Sequence, residues 1–175
     1  MSYFLKLTIA SAIILLYSNN SFAELTICEV GDYTQFIVPI YALGMTFSKD
    51  DEEGARQLIT SFLATQATVH GMKCLIDAER PNGSDCTSFP SGHTASAFSG
   101  ATFIHKRYGM EKAVVPYLFA AFTGYSRIRS KKHYFHDVAA GALISGIFTW
   151  FFVSEYDSGV QISVDSDSVT LSFSF

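Results

Sequence analysis

Five long stretches without a single Asp, Glu, Lys or Arg dominate this sequence of 175 residues. They run from Tyr33 to Ser48, Gln57 to Met72, Thr87 to Ile104, Ala113 to Ser126 and Val138 to Ser154. Each is long enough for a helix, yet shorter than the roughly 20 residues of a comfortable transmembrane helix. The pattern predicts an all-α protein, a compact bundle of about five helices in one domain.

Capping residues indicate where three of these helices begin. We expect starts at Ser48 to Asp51, which form a capping-box pattern, at Ser91-Gly92, and at His136-Asp137. Small residues four apart occur in the third and fifth stretches, as in Gly141 and Ser145. Such spacing permits close approach between helices, or it fills a tight core.

Charge and composition exclude two classes of protein. The 12 Lys and Arg are outnumbered by 16 Asp and Glu, which gives a net charge of −4 and disfavours a nucleic-acid partner bound through bulk electrostatics. Hydrophobic residues make up 49% and charged residues 16%, which excludes a disordered tail. Composition is compatible with both a strongly apolar soluble domain and a small membrane protein.

The first 23 residues have the features of an export signal. Lys6 is the only charge before Glu24, an apolar run follows from Leu7 to Tyr17, and Ser21-Phe22-Ala23 offers small residues for cleavage. An uncleaved membrane anchor is the alternative for residues 1–23. Either way we expect the remainder to be exported, in the periplasm or in the inner membrane with its functional end facing the periplasm.

The end of the chain follows a different pattern from the helical domain, which we assign to residues 24–155. From Val160 to Phe175 apolar and polar residues alternate, interrupted by the polar run Asp165 to Ser168. This period of two predicts a short C-terminal β-hairpin within a tail of residues 156–175.

Three cysteines, Cys28, Cys74 and Cys86, are too few for a disulfide scaffold. Export would allow a disulfide to persist, and Cys74 with Cys86 is the pair that we expect, because the two bracket a short loop. Three free thiols are an equally good interpretation.

Chemistry-bearing residues fall between the helices. If consecutive helices run antiparallel, the end of the second, the start of the third, the end of the fourth and the start of the fifth meet at one end of the bundle. Lys73, Arg80 and Arg127 would then lie beside the helix start at Ser91-Gly92. Arginine and helix N-termini both bind anions, so the sequence predicts a phosphate site.

Two histidines join this cluster from different segments. His133 and Asp137 are four residues apart and would share a helix face, and a carboxylate on one imidazole nitrogen leaves the other free to attack. His93 comes from the third helix. His136 is a rival for the nucleophile because it adjoins Asp137. A metal site at His133, His136 and Asp137 is disfavoured, because neighbouring cations would repel the ion, so we expect no metal and no cofactor.

These residues resemble a known family signature. Lys73-x6-Arg80-Pro81, Pro90-Ser91-Gly92-His93 and Ser126-Arg127-x5-His133-x3-Asp137 are similar to the three motifs of the type 2 phosphatidic acid phosphatase (PAP2) superfamily. That superfamily includes bacterial acid phosphatases and vanadium haloperoxidases. All three motifs occur in order over 65 residues, whereas neither the leader nor the tail takes part in the resemblance.

The resemblance implies a role for each residue. His133 would be the nucleophile that forms a phosphohistidine, Asp137 would orient it, and His93 would protonate the leaving alkoxide. The phosphoryl oxygens would be held by Lys73, Arg80, Ser91, Gly92 and Arg127. Cations in these positions stabilise the transferring phosphoryl group without a metal.

The function expected from these observations is an exported phosphatase that hydrolyses a phosphomonoester. A lipid-linked substrate is favoured by the apolar helices, of the phosphatidate, phosphatidylglycerophosphate, isoprenyl pyrophosphate or lipid A type, with a membrane as the setting. The alternatives are a soluble periplasmic acid phosphatase of broad specificity and a phosphate- or lipid-binding module without turnover. Vanadate-dependent halide oxidation is disfavoured by the short chain.

Overall fold

The computed structural model describes residues 26–156 together with the backbone of 160–165 and 168–173. The expected export signal at 1–23 lies outside the described residues. The helices of the described part are α1 Ile27–Ser48, α2 Glu52–Leu75, α3 Gly92–Tyr108, α4 Met110–Arg129 and α5 Phe135–Phe152. The predicted all-α bundle of five helices is confirmed.

The predicted C-terminal hairpin is also present. Strands β1 Val160–Asp165 and β2 Ser168–Phe173 pair antiparallel, with Val164 opposite Val169. The two strands coincide with the two segments in which apolar and polar residues alternate, as the period of two predicts.

Helix α3 lies at the centre of the bundle. Twelve of its seventeen residues are buried, including Ala97, Ala101 and Phe103. Helix α3 packs against α1, α2, α4 and α5. Small side chains on α3 let these helices approach closely, so the central helix sets the spacing at the end where the phosphate site is expected.

The helix starts agree only in part with the capping prediction. Ser91 is the N-cap of α3, as expected. The expectation at Ser48 is wrong, because Asp51 caps α2 with Oδ1 accepting from the Gly54 N–H at 2.8 Å, while Ser48 ends α1. Helix α5 begins at Phe135 with Tyr134 as N-cap, slightly earlier than expected.

Gly141 allows α5 to lie against the start of α3. A Cβ atom at this position would stand 2.5 Å from the Ser91 carbonyl oxygen, closer than real Cβ contacts. The nearby Ser91 N–H donates to the Asp137 carbonyl at 3.0 Å. The absence of a side chain at Gly141 therefore brings the PSGH segment and the His133 to Asp137 segment together.

Candidate active site

Two cavities open at the end of the bundle where the antiparallel arrangement predicts the phosphate site. The larger has a volume of about 710 Å³, and its lining includes Lys73, Arg80, Gly92, His93 and His133. The smaller, of about 150 Å³, shares Arg80, His93 and His133 with it and adds Arg127. Both histidines of the predicted site therefore face the same two cavities as the cations.

His133 and Asp137 form a buried pair at the base of these cavities. His133 Nδ1 lies 3.5 Å from Asp137 Oδ2, and the side chains are 3% and 0% exposed. His133 Nδ1 makes no hydrogen bond to the described residues. Because Nδ1 is turned toward the carboxylate, Nε2 is the nitrogen left for a substrate.

The Asp137 carboxylate is fixed by its surroundings. Its Oδ2 accepts a hydrogen bond from the Ser88 hydroxyl and another from the Tyr134 N–H at 2.9 Å. The second bond belongs to the capping box that begins α5. The same residue thus starts a helix and orients a histidine.

Burial and charge keep His133 neutral. Burial lowers the pKa of His133 to about 4, and the charges of Lys73 and Arg80 act in the same direction against the opposing charge of Asp137. At neutral pH the imidazole therefore carries no proton on the nitrogen that faces the cavity. An unprotonated imidazole nitrogen can act as a nucleophile.

The loop between α2 and α3 holds two of the predicted cations in place. Lys73 Nζ donates to the Thr87 carbonyl. Arg80 donates from Nε to Asp85 Oδ1 at 2.7 Å and from Nη2 to the Thr87 hydroxyl at 3.2 Å. The Thr87 hydroxyl and N–H also bind Asp85, at 2.7 Å and 2.9 Å, and these bonds lower the pKa of its carboxyl.

Arg127 is held by helix α1, a partner that the motif does not include. Its Nη1 donates to Asp32 Oδ1 at 2.6 Å, its Nη2 donates to the Cys28 carbonyl, and its Nε donates to Ser126 Oγ at 3.0 Å. These bonds use three of the five N–H groups of the guanidinium, and two remain for phosphoryl oxygens. Gly31 makes the approach possible, because a Cβ atom there would stand 2.5 Å from Arg127 Nη2.

His93 contacts the same carboxylate as Arg127. Its Nε2 lies 2.9 Å from Asp32 Oδ1, and both side chains remain partly exposed to the cavity. Asp32 Oδ1 therefore lies between His93 and Arg127. This contact joins the first helix to the site.

Two other predicted residues have different surroundings from the rest. Ser91 is fully buried, its hydroxyl lies 2.9 Å from the Thr94 hydroxyl, and it is not part of either cavity lining. His136 is 68% exposed, stacks on Tyr134, lies 3.0 Å from Asp137 Oδ1, and lines neither cavity. Position therefore favours His133 over His136 as the nucleophile.

The predicted Cys74–Cys86 disulfide is not formed in this structure. Cys28, Cys74 and Cys86 are all free thiols, and Cys74 and Cys86 are exposed. The Cys86 thiol lies beside Asp77, whose charge and hydrogen bond raise its pKa. Three free thiols was the other interpretation that the sequence allowed.

No group of three or more His, Cys, Asp or Glu side chains in the described part of the chain comes together as a metal site would require. His133, His136 and Asp137 adjoin one another, but the exposed His136 lies apart from the cavity lining.

Sequence reasoning missed three residues of this site, Asp32, Asp85 and Ser88. For Asp32 the signal was available, because the start of α1 falls at the same end as the starts of α3 and α5 when helices alternate in direction. Asp85 and Ser88 lie in an irregular loop, where a bridge between Ala78 and Thr87 sets the contacts. That pairing has no periodic signature in the sequence.

The larger cavity continues away from the charged groups between α1 and α2. Phe36 and Phe62 contribute rings to this part, with Gln35, Gln66 and His70 as its polar lining. A ligand filling the cavity would place a charged group against Lys73 and Arg80 and a less polar portion between the two helices.

Comparison with known proteins gives consistent matches. Residues 54–157 match the PAP2 superfamily. A lipid A 4'-phosphatase of Helicobacter pylori is 31% identical over 139 residues, which cover 73% of this chain and 70% of that protein. A lipid A 1-phosphatase of Porphyromonas gingivalis is 46% identical over 68 residues, 37% of this chain but only 15% of that protein.

The fold also has a counterpart among solved structures. The crystal structure of Aquifex aeolicus LpxE superposes with a TM-score of 0.63 and covers 77% of this chain and 87% of that one. The sequence identity is 24%, so this likeness concerns the fold.

Proposed function

The chain belongs to the PAP2 superfamily, and from that premise we propose that it is a phosphatase that removes a phosphate monoester from a lipid, with His133 as the nucleophile. The observation that carries the proposal is the buried, neutral His133 between Asp137 and a cavity lined by Lys73 and Arg80. The three motifs that resemble the family signature supply every one of these groups.

The reaction proceeds in two displacements. In the first, His133 Nε2 forms a bond to phosphorus, the ester P–O bond breaks, and the departing alkoxide takes a proton from His93. In the second, water attacks the phosphohistidine with His93 as base, and phosphate and free His133 result. Lys73, Arg80 and Arg127 stabilise the charge on the phosphoryl oxygens.

A lipid substrate accounts for the apolar part of the larger cavity. A phosphate held by Lys73 and Arg80 leaves the rest of the substrate near Phe36 and Phe62. Two relatives are lipid A phosphatases by name, and a third, from Arabidopsis thaliana, is lipid phosphate phosphatase 1, 35% identical over 83 residues. We therefore place lipid A first among the candidate substrates.

The outer surface of the bundle supports a membrane setting. Large apolar side chains such as Ile40, Leu63, Leu118 and Phe151 are each at least 60% exposed. Among the described helices, Phe135–Phe152 is long and apolar enough to cross a membrane, and only 22% of its residues are buried in the protein. Lipid contact would remove these surfaces from water.

Phosphate release tests the activity. The purified protein is offered lipid A, phosphatidate, phosphatidylglycerophosphate, an isoprenyl pyrophosphate and a soluble aryl phosphate. We expect release from the lipids, with lipid A preferred. If the aryl phosphate is turned over as fast as the lipids or faster, the soluble acid phosphatase is favoured. If no substrate releases phosphate, a binding module is favoured.

The nucleophile is tested with a matched pair of variants. His133→Ala removes the buried histidine, and we expect turnover to fall by about 10³-fold or more. His136→Ala, three residues away and equally adjacent to Asp137, should retain most of the activity. Full activity in His133→Ala, or the reverse order of the two variants, would overturn the assignment.

Location and orientation require a separate test. Carbonate washing should leave the protein in the membrane fraction, and release into the supernatant would refute integral insertion. Cys28, Cys74 and Cys86 all lie at the active end. An impermeant maleimide added to spheroplasts should therefore label the protein if that end faces the periplasm, and no labelling before lysis would contradict export of this end.

A further inference from the structure

Asp32, near the start of α1, lies outside the three motifs and contacts two of their residues. Its Oδ1 accepts from Arg127 Nη1 at 2.6 Å and lies 2.9 Å from His93 Nε2. An ionised carboxylate only accepts hydrogen bonds, so the atom between Asp32 and His93 must be a proton carried on Nε2. The resting site thus fixes which nitrogen of His93 bears a proton.

Burial and the charge of Arg127 lower the pKa of His93, and the charge and hydrogen bond of Asp32 oppose this lowering. The titratable and charged groups that face the two cavities around His93 are Asp32, Lys73, Arg80, Arg127, Lys132 and His133, with Cys28, His70 and Cys74 completing the titratable lining. Asp32 is the one anion among these groups, and it touches His93 directly. Neighbouring cations disfavour a protonated imidazole, and an adjacent carboxylate favours it.

We propose that Asp32 is a positioning residue that fixes a proton on His93 Nε2, favours the protonated form of this imidazole and holds Arg127 in place, so that His93 can serve as the general acid. This inference rests on the proposed phosphatase function. It also assigns α1, which precedes the three motifs, a part in the reaction. A general acid needs its proton in the first displacement, when the alkoxide leaves.

The test is the pH dependence of kcat/KM for Asp32→Asn. The amide oxygen can still accept from Arg127 and His93, but the negative charge is lost. We expect the alkaline limb of the profile to move to lower pH by about 1 unit, which is about a tenfold loss of kcat/KM on that limb. An unchanged limb, or a rise in activity because Asp32 merely obstructs the site, would overturn the proposal.

A series of leaving groups gives a second, independent measurement. An alkoxide leaves slowly unless it is protonated, whereas a nitrophenolate leaves readily without an acid. Asp32→Asn should therefore lose much more activity toward an alkyl phosphate than toward a nitrophenyl phosphate. Equal losses toward both substrates would indicate a structural role only and would contradict the proposal.

Two further variants complete the design. Asp85→Asn removes a carboxylate that holds the other guanidinium, Arg80, without touching His93. It should raise KM and leave the alkaline limb where it is. Asp32→Ser removes the charge with a small side chain, and it should shift the limb in the same direction if the amide variant does not fold.

Failure of the inference and failure of the proposed function can be told apart. If the unmutated protein releases no phosphate at any pH, the proposed function fails and this inference fails with it. If the unmutated protein is active and Asp32→Asn has the same profile and the same leaving-group dependence, the phosphatase stands and the role of Asp32 is refuted.

Discussion

His133 Nδ1 lies 3.5 Å from Asp137 Oδ2, and both side chains are buried. The distance is longer than a strong hydrogen bond, and contacts of this kind often tighten only when substrate binds. Asp137 cannot move far, because Ser88 and the Tyr134 N–H hold its Oδ2. A shorter contact would therefore require a small movement of the imidazole toward the carboxylate.

Asp137→Asn should lower kcat by about 10² to 10⁴-fold, since the amide neither orients His133 in the same tautomer nor stabilises its positive charge. Ser88→Ala removes one of the bonds to the carboxylate and should cause a smaller loss of the same kind. Steady-state kinetics on the preferred lipid measure both. Greater damage from Ser88→Ala than from Asp137→Asn would contradict the mechanism.

The acidic limb of the pH profile reports the protonation of His133. Burial lowers its pKa to about 4, so the neutral, reactive form persists well below the ordinary value of 6.5. As pH falls, activity should be lost only near pH 4. In Lys73→Met a cation that contributes to this lowering is gone, and the limb should move to higher pH.

The comparison must be made with one substrate, because the phosphate group itself ionises in this range. A difference in the acidic limb between the unmutated protein and Lys73→Met then reports an ionisation of the enzyme and not of the substrate. Two outcomes would contradict a lowered pKa of His133. One is an identical acidic limb for the unmutated protein and Lys73→Met, and the other is an acidic limb at pH 6.5 or above for the unmutated protein.

The sequence predicted the helices and the cations better than the contacts between them. Uncharged stretches define α1 to α5, and helix parity brings Lys73, Arg80 and His133 to one end without any knowledge of packing. The bonds of Arg80 to Asp85 and of Asp137 to Ser88 depend on an irregular loop. No periodicity describes such a loop, so these partners were not predictable.

The error at Ser48 has a similar origin. Ser48 and Asp51 fit the spacing of a capping box, but three residues join α1 to α2, and Asp50 adopts a positive φ of 50° within that turn. The turn places Asp51, not Ser48, at the N-cap. The capping-box pattern thus predicted the correct region for the start of α2 but the wrong N-cap residue.

Arg107 should be important for stability and not for turnover, because it lies at the end opposite His133. Its Nε donates to Asp51 Oδ2 at 2.9 Å, and both side chains are buried. Arg107→Met leaves the buried Asp51 carboxylate without its cation and should lower the free energy of unfolding by about 3–5 kcal/mol. Lys106→Met breaks only a pair with the exposed Glu155 and should cost about 1 kcal/mol or less.

The same ion pair predicts a pH dependence of stability. Burial alone would raise the pKa of Asp51, but hydrogen bonds from Arg107, Tyr108 and the Gly54 N–H outweigh burial and lower it to about 2. The carboxylate thus stabilises the fold above its ordinary pKa of 3.8, and this contribution is lost as pH falls from about 4 to about 2. Unfolding curves across this interval should show a smaller loss in Arg107→Met than in the unmutated protein, because only the bonds from Tyr108 and the Gly54 N–H then lower the pKa of Asp51.

Gly141 and Gly146 offer a matched test of how α5 is positioned against α3. At Gly141 a Cβ atom would stand 2.5 Å from the Ser91 carbonyl oxygen, whereas at Gly146 no atom lies within 4 Å. Gly141→Ala should lower the free energy of unfolding by about 1–3 kcal/mol and reduce activity, because it pushes the His133 segment away from the start of α3. Gly146→Ala should raise stability by up to about 1 kcal/mol, since alanine is the better helix former, and leave activity unchanged. Both variants are compared by their free energy of unfolding and their phosphate release in the same detergent. Equal effects of the two substitutions would show that the close contact at Ser91 does not position the active site.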